Sequence, residues 1–139
     1  MPEVASQTLD LVGRELNNTL AEARTALETF VEQPENVVLM QRCVADLHQV
    51  QGVLRLLEIF GAALLAEEME QVTKYLLTPA SQKNQAETLD ALMRAMVQLP
   101  SYVERVLAGT AAILLVMSIL ASLGPTRRAA KIDPVEAMR

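Results

Sequence analysis

Apolar residues recur along most of this chain at steps of three and four, the spacing that gathers them on one side of an α-helix. The first such run is Leu9, Val12, Leu16, Leu20, Ala23, Leu27 and Phe30, and it predicts a helix from Ser6 to Val31. Gln33-Pro34 ends it, because proline disfavours helical backbone in the residue before it. Met40, Val44, Leu47, Leu54 and either Leu57 or Glu58 mark the inner side of a second helix, from Glu35 to Ile59. Gly61 punctuates the chain. A third helix follows to Leu77, with Leu64, Leu65, Met69, Val72 and Leu76 expected to face inward. Thr78 to Lys83 is polar, contains Pro79, and reads as a loop. Asn84 is placed to cap a fourth helix, with Glu87 three residues on completing a capping box. Leu89, Leu92, Met93, Met96 and Val97 line that helix's apolar side. Pro100 suits the first turn of a fifth helix, where its missing N–H costs nothing.

Four amphipathic helices with short connections, then a fifth segment, predict an all-α fold: an antiparallel up-down bundle of four to five helices with an apolar C-terminal helix. Composition agrees. Hydrophobic residues make up 51% of the chain, aromatics 3%, and tryptophan is absent. Leu, Ala, Met and Glu lose little freedom in a helix, which favours helices over sheet. A length of 139 residues suits one domain. The net charge of −5 argues against a nucleic-acid partner. Cys43 stands alone, so there is no disulfide framework, and its place on the apolar side of the second helix makes it a small core residue. One His and one Cys do not furnish a zinc site, and no cofactor is implied. Residues 1–15 lack the apolar core of a secretory signal, so the bundle is expected in the cytoplasm.

Charge divides the chain in two. Residues 1–110 carry 8 basic and 15 acidic groups, a net of −7, whereas residues 111–139 carry 4 and 2, a net of +2. From Val106 through Thr126 there is no charged residue. As a helix, that run would extend about 30 Å, the thickness of a bilayer's hydrocarbon core. Arg127, Arg128 and Lys131 follow it. The positive-inside rule puts such a cluster in the cytoplasm, which conflicts with a cytoplasmic bundle on the other side of a single span. Three fates stay open for residues 111–123: insertion into the inner membrane, folding back as the last bundle helix, or exposure as an aggregation-prone helix.

The chain's single histidine lies in Leu47-His48-Gln49-Val50-Gln51-Gly52. Stepping 100° per residue from Leu47 puts His48 at the edge of the second helix's core face, with Arg55 two turns on. Gly52 lies one turn from His48 and removes bulk beside the ring, as an approaching protein would require. Seen this way, His48 is either an inert boundary residue or the one imidazole available for chemistry. The run Glu67-Glu68-Met69-Glu70 reads as a solvated face able to pair with a basic surface.

His48-Gln49-Val50-Gln51-Gly52, followed by Glu70, resembles the histidine box of histidine phosphotransfer (HPt) domains. The longer stretch from Leu47 to Leu77, with Gly61-Ala62-Ala63-Leu64-Leu65-Ala66-Glu67-Glu68-Met69-Glu70, resembles the N-terminal HPt-like domain of the chemosensory hybrid kinases that govern type IV pili and twitching motility, the ChpA/PilL and FimL group. The likeness covers residues 6–110. It implies a four-helix bundle that docks response-regulator receiver domains and other chemosensory proteins, with His48 as phosphoacceptor and Gln51, Gly52 and Arg55 in support. Two positions depart from the pattern. Gln51 stands where a lysine is usual, so a fixed cation is missing unless Arg55 supplies it. Gly61 falls thirteen residues after His48, where the usual glycine falls at ten. A register set by Gly61 would put Gln51 at the phosphoacceptor position. The chain is therefore either a phosphotransfer module or a docking-only scaffold.

The end of the chain, Gly124-Pro125-Thr126-Arg127-Arg128 through Asp133-Pro134-Val135-Glu136-Ala137, resembles the C-terminal end of macrolide-export, FtsX-like ABC transporter permeases over residues 111–139. That resemblance implies a fusion with its seam at 109–111. It implies no transport, because the other permease helices and the ATPase are missing.

Overall fold

The computed structural model describes the backbone of residues 2–137 and the side chains of residues 4–5 and 7–122. The described residues form four helices, α1 (Pro2–Glu32), α2 (Val37–Leu56), α3 (Phe60–Leu76) and α4 (Gln85–Ala137), with a 3-10 turn at Pro79–Lys83 before α4. Each helix packs on the next in sequence, and α4 returns to pack on α1. This is the up-down bundle that the apolar spacing predicts.

The core is a single cluster drawn from all four helices. α1 contributes Leu16, Leu20, Ala23, Leu27 and Phe30, as its stripe requires, with Leu9 and Val12 half-buried near its start. α2 contributes Met40, Cys43, Leu47, Val50 and Leu54.

Four features differ from the sequence reading, each for a local physical reason. First, α2 ends at Leu56 rather than Ile59. Glu58 adopts a left-handed backbone with φ of 61°. The Glu58 N–H donates to the Arg55 carbonyl at 3.0 Å, and the Ile59 N–H donates to the Leu54 carbonyl at 2.9 Å. Those bonds close the last turn in the way a glycine normally permits, and Ile59 and Leu54 are both buried beneath it. Gly61, expected to punctuate, lies inside the first turn of α3.

Second, α3 buries Ala62, Ala63, Ala66, Met69, Glu70, Thr73 and Leu76. Leu64 and Leu65, expected inward, are 61% and 37% exposed. The three-residue turn brings α3 close to α2, and small side chains fill that narrow interface where leucines would not fit.

Third, Asn84 stands directly before α4 as expected, but its side-chain oxygen accepts the Tyr75 hydroxyl at 3.0 Å. Fourth, there is no separate fifth helix among the described residues. Pro100 sits inside α4, at the cost of one backbone hydrogen bond. Leu92, Met96, Leu99 and Val103 are buried on both sides of it at steps of four, three and four. Burying that unbroken stripe outweighs the roughly 3 kcal/mol a mid-helix proline costs. Val97, off the stripe, is exposed.

α4 outruns the bundle. A Cβ on Gly61, near the start of α3, would be 3.5 Å from the Tyr102 hydroxyl, so α3 begins level with Tyr102. Past that level α1 is the neighbour. A Cβ on Gly13 would stand 3.1 Å from Leu107 Cδ1, and the missing side chain lets these two helices approach. Beyond Ala111 the extension is open: Ile113, Leu115, Val116, Met117, Ile119 and Leu120 are all exposed. Residues 111–122 therefore do not fold back as a further bundle helix. The basic residues Arg127, Arg128 and Lys131 lie outside the described side chains.

Candidate functional site

The middle of α2 meets the middle of α3 at a chain of polar groups. His48 projects from α2 with its side chain 74% exposed, further out than the edge position expected. Its Nδ1 lies 3.1 Å and 3.3 Å from the two carboxylate oxygens of Glu70 on α3. A carboxylate only accepts, so Nδ1 is the donor and carries the proton. That leaves Nε2 as the ring nitrogen without a protein partner, on a side chain open to solvent.

Glu70 is the hub. Its side chain is 5% exposed, and Lys74, one turn further along α3, places Nζ 3.1 Å from Oε1. Glu70 was expected on a solvated acidic face; the structure turns it inward instead, while Glu68 stays outside. Gln51 is also buried. Oriented to satisfy its neighbours, the Gln51 amide nitrogen donates to Glu70 Oε2 at 3.0 Å and its oxygen accepts from Arg55 at 3.0 Å. Arg55 in turn donates to Glu67 Oε2 at 2.9 Å. Three donors thus converge on one buried carboxylate, and that is what makes its burial tolerable.

The structure brings together three of the four residues singled out from sequence, His48, Gln51 and Arg55, in one network. Gly52 is exposed beside them, and a Cβ there would meet nothing within 4 Å. The open space expected next to the ring is present, though nothing in the fold needs the glycine to keep it open. The residue ten after His48, where phosphotransfer domains carry glycine, is Glu58 with its left-handed backbone. Gln51, the residue that a register counted from Gly61 would put at the phosphoacceptor position, is buried, whereas His48 is exposed.

Sequence reasoning missed Lys74. Its signal was present in the four-residue spacing from Glu70, which joins two residues on one helix face. Also missed from sequence is a groove of about 440 Å³ on the side of α2 toward α1, lined by Leu11, Val12, Leu16, Gln49, Val50 and Val53 among others.

A profile of the FimL C-terminal domain matches residues 3–119. The chain belongs to the FimL C-terminal domain family. Scaffold protein FimL of Pseudomonas aeruginosa is 37% identical over 99 residues, covering 71% of this chain and 17% of FimL. The chain thus spans about a sixth of that relative's length. No solved structure matches it. The resemblance read from Leu47 to Leu77 therefore resolves to the FimL member of its group, and to a C-terminal rather than an N-terminal domain. The profile match runs on past the change of character at 109–111, as α4 does. These matches support the FimL resemblance and not the transporter one.

Proposed function

We propose that this domain is a docking scaffold in a signalling pathway for type IV pilus motility, and that it binds a receiver domain through the face around His48 without accepting phosphate. The relative that supports the pathway is a scaffold protein by name. The observation that carries the docking-only reading is the fate of the cations. A phosphoryl group on a histidine needs fixed positive charge beside it to offset the charge of its oxygens. Position 51 supplies a neutral, buried glutamine. Arg55 is held by Glu67 and Gln51, and Lys74 by Glu70. Each nearby cation already has a partner, so releasing one to a phosphate would break an existing bond. Exposed His48, the open ground at Gly52 and the apolar groove beside Gln49 together form a surface another protein can cover.

One observation favours phosphotransfer as the second reading. Glu70 fixes the His48 ring and leaves Nε2 facing solvent, the arrangement a nucleophilic imidazole requires.

A receiver domain loaded with radiolabelled acetyl phosphate separates the two. The expected result is a complex with the full chain, detected by calorimetry, with no label passing to it. His48→Gln should leave affinity within about twofold, whereas Gly52→Arg should weaken it more than about tenfold by placing bulk and charge on the open face. Base-stable, acid-labile label that vanishes in His48→Gln would overturn the inert reading. Absence of any complex would overturn docking.

A further inference from the structure

The docking reading gives no role to the apolar extension of α4. We propose that α4 from about Thr110 onward inserts into a lipid bilayer. The exposed residues Ala112, Ile113, Leu115, Val116, Met117, Ile119 and Leu120 cover an arc of about 200° at 100° per residue. The remaining arc, Ala111, Leu114 and Ser118, is half-buried. Apart from Ser118 and Ser122, then, the helix is apolar on every side, and a helix of that kind is stable only when surrounded by apolar material.

Three observations point to lipid as that material. An 18-residue window within Gln85–Ser122 reaches a mean hydropathy of 1.9 with none of it buried. The inner helix of a soluble bundle passes the same hydropathy test, but inside a core; this one lies outside. Second, the part of the uncharged run beyond the bundle, Thr110 to Thr126, rises roughly 25 Å as a helix, at the short end of what a hydrocarbon core of about 30 Å requires. Charges bracket the whole run, with Glu104 and Arg105 before and Arg127 and Arg128 after. Third, the arc is too wide for helix pairing. Two helices joining through a seam need about two residues in seven to be apolar and charged residues on either flank, which fix register. Here no charged flank exists, so no register is defined, and lipid needs none. The neighbouring α1 residues, Val4 to Leu9, are also uncharged and present no ionic obstacle at the membrane surface.

The test is flotation of the full chain with vesicles of phosphatidylethanolamine and phosphatidylglycerol, followed by high-salt and alkaline carbonate washes. The expected result is that the chain floats and survives both washes. The double variant Val116→Lys, Ile119→Lys should reduce the vesicle-bound fraction at least about tenfold. Both positions are more than half exposed, so its helical content and thermal melt in lipid-free buffer should match those of the unaltered chain. A chain that stays at the bottom of the gradient overturns the proposal. So does one released by salt or carbonate, which is electrostatic adsorption, or a double variant that floats equally well. A lipid-free dimer that the double variant dissociates, with no flotation, would assign the surface to a second copy instead.

Discussion

Cys43 shows how one side chain's setting fixes its chemistry. It is fully buried, and its thiol is pushed up to about 12 from an ordinary 9.0. Burial is the largest cause, the charge of Asp46 adds to it, and the hydrogen bond with Thr73 opposes it. Only a thiolate reacts with disulfide reagents, so the native protein should ignore dithionitrobenzoate at mildly alkaline pH and react within seconds once unfolded. The folded pKa lies above the unfolded one. The group is therefore neutral in both states below pH 9.0, and this term is fully in place there. Between 9.0 and about 12 only the unfolded chain loses its proton, so stability falls as pH rises through that window. Thermal melts across this range should show the decline, and Cys43→Ala should flatten it. A slope unchanged in that variant would place the titrating group elsewhere.

At the scale of the element, the α2–α3 connection is where local preference and tertiary demand part. Glu58 takes a backbone conformation that costs a residue with a side chain about 1–2 kcal/mol relative to glycine. The chain accepts that because the turn buries Ile59 over Leu54 and brings the alanine face of α3 against α2. Glu58→Gly should accordingly raise unfolding free energy by about 1 kcal/mol in urea titration, with an unchanged slope against denaturant. A loss of stability there would mean that the Glu58 side chain makes a contact outweighing its backbone strain. The same turn sets the height at which α3 begins, and through it the meeting of His48 with Glu70.

For the molecule as a whole, stability should be graded along α4. Met96, Leu99 and Val103 belong to the shared core, whereas Ile113 to Leu120 have solvent on most sides. Amide hydrogen exchange in lipid-free buffer should find residues 96–103 protected up to global unfolding and residues 112–120 exchanging orders of magnitude sooner, through fraying of the extension alone. Equal protection across α4 would reveal an unseen cover on the apolar segment. The grading also separates two tasks within one helix, closure of the bundle by its first half and the proposed membrane contact by its second.

Helices are legible in a sequence because their period belongs to the chain itself. The stripe from Leu9 to Phe30, the second helix around Leu47 and the all-α bundle needed nothing beyond residues three and four apart. The same local reading put His48 near a surface and marked Val106 to Thr126 as uncharged. The end of α2 could not be read this way, because the residue at the left-handed position is Glu58 and not a glycine. Nor could the inner face of α3, where leucines and alanines compete and the width of the gap to α2 selects the alanines. Whether Pro100 divides two helices or sits within one depended on the core offering a continuous stripe to bury. The network at His48 joins residues twenty-two apart across two helices. Such a pairing exists only once packing has set the distance between them, so its hub carboxylate reads as a surface charge until the fold encloses it.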